Sequence, residues 1–210
     1  MNINRLKFLL SALLMLVLPT TFAMAQYKVE VEKPEVVTLQ SPQLGQQSAK
    51  NKKFTGKDWM EIEVKFKVEV PPKDKKTVKF LNKVTVKWYV AAKNPDGGKG
   101  FVLLEKEVTH VNVPVDEEIY ASIYLSPNSV KRMTGGDRVN ERDIKEIGGE
   151  IRVNGQEAFK NSGFFSKDTQ GKWWTSGQLS RYDKIPLLNK NETPFKILWY
   201  DRYAEIEPDR

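Results

Sequence analysis

Met60-Glu61-Ile62-Glu63-Val64-Lys65-Phe66-Lys67-Val68-Glu69-Val70 decides the fold. Every even position is apolar and every odd position is charged, a period of two that only an extended strand turns into one buried and one polar face. Pro71-Pro72 ends the run, because proline brings no N–H to a ladder. The pattern predicts Ile62, Val64, Phe66 and Val68 in a core and the charged positions in water. Glu61 and Glu63 share that second face with Lys65 and Lys67, the composition of a solvated strand face.

A second strand of the same form follows, with Val84, Val86, Trp88 and Val90 alternating with Thr85, Lys87 and Tyr89. It stops at Asn94-Pro95-Asp96-Gly97-Gly98, a dense turn signal. Further strands are expected at Phe101 to Leu104, around Val108 to Val113, at Ile119, Ala121, Ile123 and Leu125, and finally at Phe195, Ile197 and Trp199. Upstream, Val29 and Val31, then Val36, Val37 and Leu39, suit a first strand that Pro34 confines to an edge or cuts in two. Asn154-Gly155 closes a hairpin, since both residues accept positive φ. One short helix should begin at Ser126-Pro127, an N-cap followed by proline, and end at Gly135-Gly136. Residues 160–191 read as long loops with short strands.

Alternating strands between turns imply antiparallel pairing, because parallel strands are covered on both faces. The expected class is all-β: an antiparallel immunoglobulin-like β-sandwich with one short helix and long loops, Trp88 lying in its core. Residues 1–25 read as a signal peptide: Arg5 and Lys7, an apolar run from Phe8 to Leu18, then Ala23-Met24-Ala25 as cleavage site. Residues 26–57 hold the N-terminal strand and a polar linker, and 58–210 the sandwich. The full chain carries +7, and loss of Arg5 and Lys7 leaves +5. With no cysteine anywhere, an exported domain fits a bacterial envelope better than a disulfide-rich secreted setting. The location expected is exported: periplasm, outer membrane surface or extracellular.

Catalytic signals are sparse. His110 is the only histidine, which removes multi-histidine zinc sites and rests any triad on one residue. It sits in a strand-like stretch, where a surface or satisfied role is the ordinary one. Gly97-Gly98-Lys99-Gly100 leads to a strand, whereas phosphate loops need a helix start. No catalytic residue, metal site or cofactor is expected, and the chain reads as non-enzymatic. Two surfaces stand out. Lys50 to Lys87 holds twelve lysines against five acids, with Lys73, Lys75 and Lys76 in the turn after the deciding strand. That is an anion-binding surface or plain edge protection. The second surface is aromatic. Trp173 and Trp174 would point to opposite faces if they sat on a strand, and Tyr200 follows Trp199. Exposed, these rings would stack on sugars or enter a partner.

The signal peptide, Trp88, Tyr120-Ala121-Ser122-Ile123-Tyr124-Leu125-Ser126-Pro127, and the stretch from Gly163-Phe164-Phe165 to Trp173-Trp174 together resemble a small exported protein of mucin-degrading gut Verrucomicrobia. That family is encoded beside type IV pilus-like machinery and has an immunoglobulin-like fold. The resemblance implies a non-enzymatic role in an outer-membrane, pilus-like or adhesion-associated assembly. Its partners would be envelope proteins, with an anionic glycan or a second copy of the chain as further classes and nucleic acid excluded. The rival expectation is a carbohydrate-binding module using surface aromatics. A third is a hydrolase with two facing carboxylates in a cleft.

Overall fold

The computed structural model describes residues 27–43, 53–158, 163–166 and 171–208. The proposed signal peptide, with Lys50 and Lys52 of the linker, lies outside them. Two antiparallel sheets pack face to face. In the first, β3 (Asp58–Glu69) is central, flanked by β8 (Glu118–Leu125) and then β12 (Leu188–Asn189). Its other edge is shared by β1 (Lys28–Val31) and β2 (Glu35–Gln40), which pair with consecutive parts of β3. Pro34 lies between them, so the expected break in the first strand is there, and both pieces belong to the sandwich sheet.

The second sheet is built on β5 (Val84–Lys93), held between β6 (Phe101–Val111) and β9 (Ile144–Val153). β10 (Gln156–Glu157) and β11 (Gly163–Phe165) pair with β9, and β13 (Glu205–Ile206) with β6. A small ribbon of β4 (Phe80–Leu81) and β7 (Val113–Pro114) stands apart. The two segments expected around 101–104 and 108–113 are mostly one strand, β6, because its pairing with β5 runs unbroken from Phe101 to His110. Helix α1 (Pro127–Thr134) starts as expected: the Ser126 hydroxyl accepts from the Ser129 N–H, and Gly135 closes the helix at φ 78°. Asn154 and Gly155 take φ of 50° and 80° at the hairpin between β9 and β10.

The core is the one the alternation predicts. Ile62, Val64, Phe66, Val68, Val84, Val86 and Trp88 are all buried. Trp88 meets Phe164 edge-on at 4.8 Å. That contact needs Gly149, where any Cβ would lie 2.3 Å from Phe164 and 2.5 Å from the Lys87 carbonyl oxygen.

The outer faces differ from expectation. Glu61 and Glu63 are buried, as is Tyr89, because chain from the C-terminal third crosses both sheets. Over the second sheet, Trp174 stacks on Tyr89 at 4.5 Å, with Phe165 and Trp173 packed beside it. Over the first sheet runs a strap, residues 190–204. Phe195, Ile197 and Trp199, expected as a strand, lie instead in successive turns. Leu198 N–H donates to the Phe195 carbonyl and Arg202 N–H to that of Trp199. These i→i+3 bonds coil a segment that has no neighbouring strand to extend against.

Candidate functional site

Cross-strand register assembles the site beneath the strap. On the outer face, Glu61 of β3 stands opposite Tyr124 of β8, and Glu63 opposite Ser122. Ser122 Oγ donates to the Tyr124 hydroxyl at 2.9 Å, and that hydroxyl donates to Glu61 Oε1 at 2.5 Å. The strap supplies the rest. Tyr203 Oη lies 3.2 Å from Glu61 Oε1 and donates to Glu63 Oε2, while Arg202 Nη2 donates to Glu63 Oε1. The Arg202 guanidinium also lies over the Tyr120 ring, 3.8 Å from its centre. Phe195 is buried between Tyr124 and Trp59, stacked on the first and edge-on to the second.

Burial pushes the Glu61 carboxyl above the ordinary carboxylate range; the Tyr124 hydrogen bond opposes this and the charge of Glu63 adds to it. The hydroxyl of the half-buried Tyr203 is pushed up by desolvation and by its bond to Glu63. Tyr203 has one hydrogen and two carboxylate neighbours. Both contacts are hydrogen bonds at once only when Glu61 holds a proton; otherwise the two carboxylates share the one hydrogen. The pair is therefore a latch, with Arg202 balancing Glu63 and the strap fixed in register over the sheet. It is not the solvated face that the lysine-rich alternation predicts. The missed signal is on β8: Tyr120 and Tyr124 stand on the face that should have been wet.

Above the latch the strap presents a ledge. Ile197 is 57% exposed, Trp199 48% and Tyr200 80%. Trp199 adopts φ of 52°, a left-handed conformation that a bulky residue holds only at a cost of about 1–3 kcal/mol. The Trp199 ring stacks on Phe195 at 6.4 Å, which anchors it to the buried side of the strap.

The other sequence-derived candidates separate. Trp173 and Trp174 lie in a 3-10 turn (Trp173–Thr175). Trp174 is buried and Trp173 half-buried, and both indole nitrogens are enclosed, so their faces serve the outer cover of the second sheet. Tyr200 remains open. Lys73, Lys75 and Lys76 are exposed in the turn after β3; Lys75 lies 3.9 Å from Asp116. The structure does not join these lysines to the aromatics in one surface. His110 is buried, with Nδ1 3.2 Å from the Ala204 carbonyl oxygen.

A protein-family model matches residues 20–210. Among solved structures, the chain is similar to a crystal structure of a protein from Akkermansia muciniphila. The two are 37% identical, with a TM-score of 0.78 over 89% of this chain and 96% of that one. That source is a Verrucomicrobium, in agreement with the resemblance drawn from sequence. No curated protein matches.

Proposed function

We propose that this chain, which belongs to the family whose model spans residues 20–210, is a non-enzymatic binding or assembly module of the bacterial envelope. It is exported after cleavage at Ala25 and works in a pilus-like or adhesion-associated assembly. The observation that carries the reading is the ledge. Ile197, Trp199 and Tyr200, three large side chains within four residues, stand exposed on a turn held down by Tyr203. Trp and Tyr held rigidly at a surface are the residues that dominate protein interfaces, and rigidity spares the ordering cost of association. The neighbouring carboxylates support a non-enzymatic role, because Glu61 and Glu63 are covered by the strap and engaged by tyrosine and arginine.

Site-specific photocrosslinking from position 200 in the native envelope tests this. One defined protein adduct is expected, abolished by Trp199→Ala in a folded chain that begins at Gln26. An adduct pattern identical to that from the exposed control position 73 would overturn it. Tyr200 also favours a second reading, a carbohydrate-binding module, because a ring 80% exposed can stack on a sugar face. In that case a glycan array gives defined hits that Tyr200→Ala removes, and the crosslink to protein is absent.

A further inference from the structure

β2 pairs with β3 on one side and, among the described residues, with no strand on the other. Its six residues, Glu35-Val36-Val37-Thr38-Leu39-Gln40, form an unbroken register with β3. They hold no lysine, proline or bulge, the devices that ordinarily keep an edge strand from pairing. At other edges β10, β12 and β13 are protected by length, with two residues each. Val36 is 48% exposed and Val37 40%.

The ladder shows which groups are free. Ser41 N–H donates to the Lys57 carbonyl at 2.9 Å. By the alternation of an antiparallel pair, Glu35, Val37 and Leu39 also direct their N–H and C=O at β3. Val36, Thr38 and Gln40 therefore turn theirs out to the open edge. The side chains of Val36 and Thr38 stand opposite Ile62 and Met60, on the inner face. There the two sheets leave a groove of about 380 Å³, walled by Val36, Thr38, Met60, Val139, Ile144 and Ile147.

We propose that a second copy of this chain adds its own β2 to this edge, antiparallel, about a two-fold axis at Thr38. Thr38 then faces Thr38 of the second copy, Val36 faces Gln40, Val37 faces Leu39 and Glu35 faces Ser41. Every outward N–H and C=O meets its like. Pro34 and Pro42 face each other just outside the paired stretch. Both prolines occupy positions whose N–H would point at the edge. Moving the axis by one residue either way lays Pro34 against Gln40 or Pro42 against Val36, and proline brings no donor. Charge favours the same register. Glu35 lies opposite Glu63 in its own sheet, and among the described residues no cation pairs with it. Lys57 is exposed, and no described acid pairs with it. In the dimer Glu35 faces Ser41 of the second copy, with that copy's Lys57 next across the sheet and on the same face, so the two charges meet over a small side chain. Symmetry makes this contact twice. The two apolar grooves face one another across the axis, and strand addition supplies the main-chain bonds.

Sedimentation of the mature chain beginning at Gln26 tests this, and a monomer–dimer equilibrium that shifts with concentration is expected. Thr38→Pro leaves the β2–β3 bonds in place, as proline on an edge can, but removes the donor on the axis. It should weaken dimerisation at least tenfold, about 1.4 kcal/mol, with an unchanged circular dichroism spectrum. Glu35→Lys should weaken it severalfold, and adding Lys57→Glu should restore it. The chain has no cysteine, so a thiol placed by Thr38→Cys can oxidise only with a second copy. The expected Cα separation of about 5.5 Å lies within disulfide reach, and the linked dimer should form faster than from Lys73→Cys. Four results overturn the proposal: a monomer at every concentration, a dimer indifferent to Thr38→Pro, a charge swap that restores nothing, or equal oxidation at positions 38 and 73. A photocrosslink from position 38 in the native envelope that joins a different protein overturns it as well. Thr38→Pro should keep the protein adduct at position 200, so this reading and the ledge fail separately.

Discussion

Tyr203→Phe removes one oxygen and tests whether the strap is held by its polar latch. The ring of Tyr203 stays, so packing against Tyr120, 6.3 Å away edge-on, is kept. What is lost is the hydroxyl shared by two buried carboxylates. A hydrogen bond to a charged group contributes about 1.5–3 kcal/mol, and a buried charge left short of a donor costs at least as much. Glu61 keeps Tyr124 and Glu63 keeps Arg202, which confines the damage to one lost donor. The expected loss is therefore about 2–3 kcal/mol. It should be read as a lowered urea midpoint with unchanged slope. Hydrogen exchange should show faster exchange at the Leu198 and Arg202 amides, whose bonds shape the strap, while the β5 amides change by no more than the drop in global stability. Tyr200→Phe is the control, because its exposed ring makes a hydroxyl deletion silent within about 0.5 kcal/mol. Equal midpoints for Tyr203→Phe and the native chain, with strap amides as protected as before, would refute the latch. The strap would then be held by Phe195 and Arg202.

Two further outcomes follow from the same geometry. Gly149→Ala should destabilise by about 3 kcal/mol or more, since its Cβ meets the Lys87 carbonyl of a central strand as well as Phe164; Gly136→Ala, with nothing nearer than 3.9 Å, should be almost neutral, and thermal unfolding of both checks this. The pH dependence has two opposed parts. Burial holds His110 at about 4, below its ordinary 6.5, so the unfolded chain binds the extra proton between those values. Stability then falls as pH drops from about 6.5 to 4, by about 3 kcal/mol at most. Glu61 is raised above 4.5, so the folded state holds the extra proton there, and its contribution is lost as pH rises through its folded pKa. Urea midpoints from pH 4 to 8 in His110→Phe and Glu61→Gln separate the two, and a His110 ring that titrates near its ordinary value would contradict the first.

The core was legible because β3 and β5 each carry one apolar face with a period of two, and a one-residue slip would have exchanged the faces. Turn chemistry was equally plain: Pro34, Ser126-Pro127, Gly135 and Asn154-Gly155 each act through their own backbone. The outer faces were not legible. Charged side chains at Glu61 and Glu63 read as wet by composition, and only a segment more than a hundred residues away dries them. Arg202 and Tyr203 carry no local pattern that names their partners. Tyr120 and Tyr124 were the available clue, since aromatics on the face opposite an aliphatic one suggest cover on both faces. Trp173-Trp174 could not be placed from a strand rule because they lie in a single 3-10 turn.

A polar latch is a poor way to gain stability, because well-packed apolar groups often do as well as a buried ion pair and leave no desolvation cost. What it supplies is position. An apolar strap could slide along the tyrosine-lined face with little change in contact, whereas Tyr203 and Arg202 satisfy Glu61 and Glu63 only at one register. That register has consequences on both sides of the latch. Three and four residues before Tyr203 come Tyr200 and Trp199, held out in a strained turn. One residue after it comes Ala204, whose carbonyl fixes the hydrogen on His110 Nδ1 and so leaves Nε2 as a bare acceptor. Ledge, latch and the His110 tautomer are thus set by one run from Trp199 to Ala204.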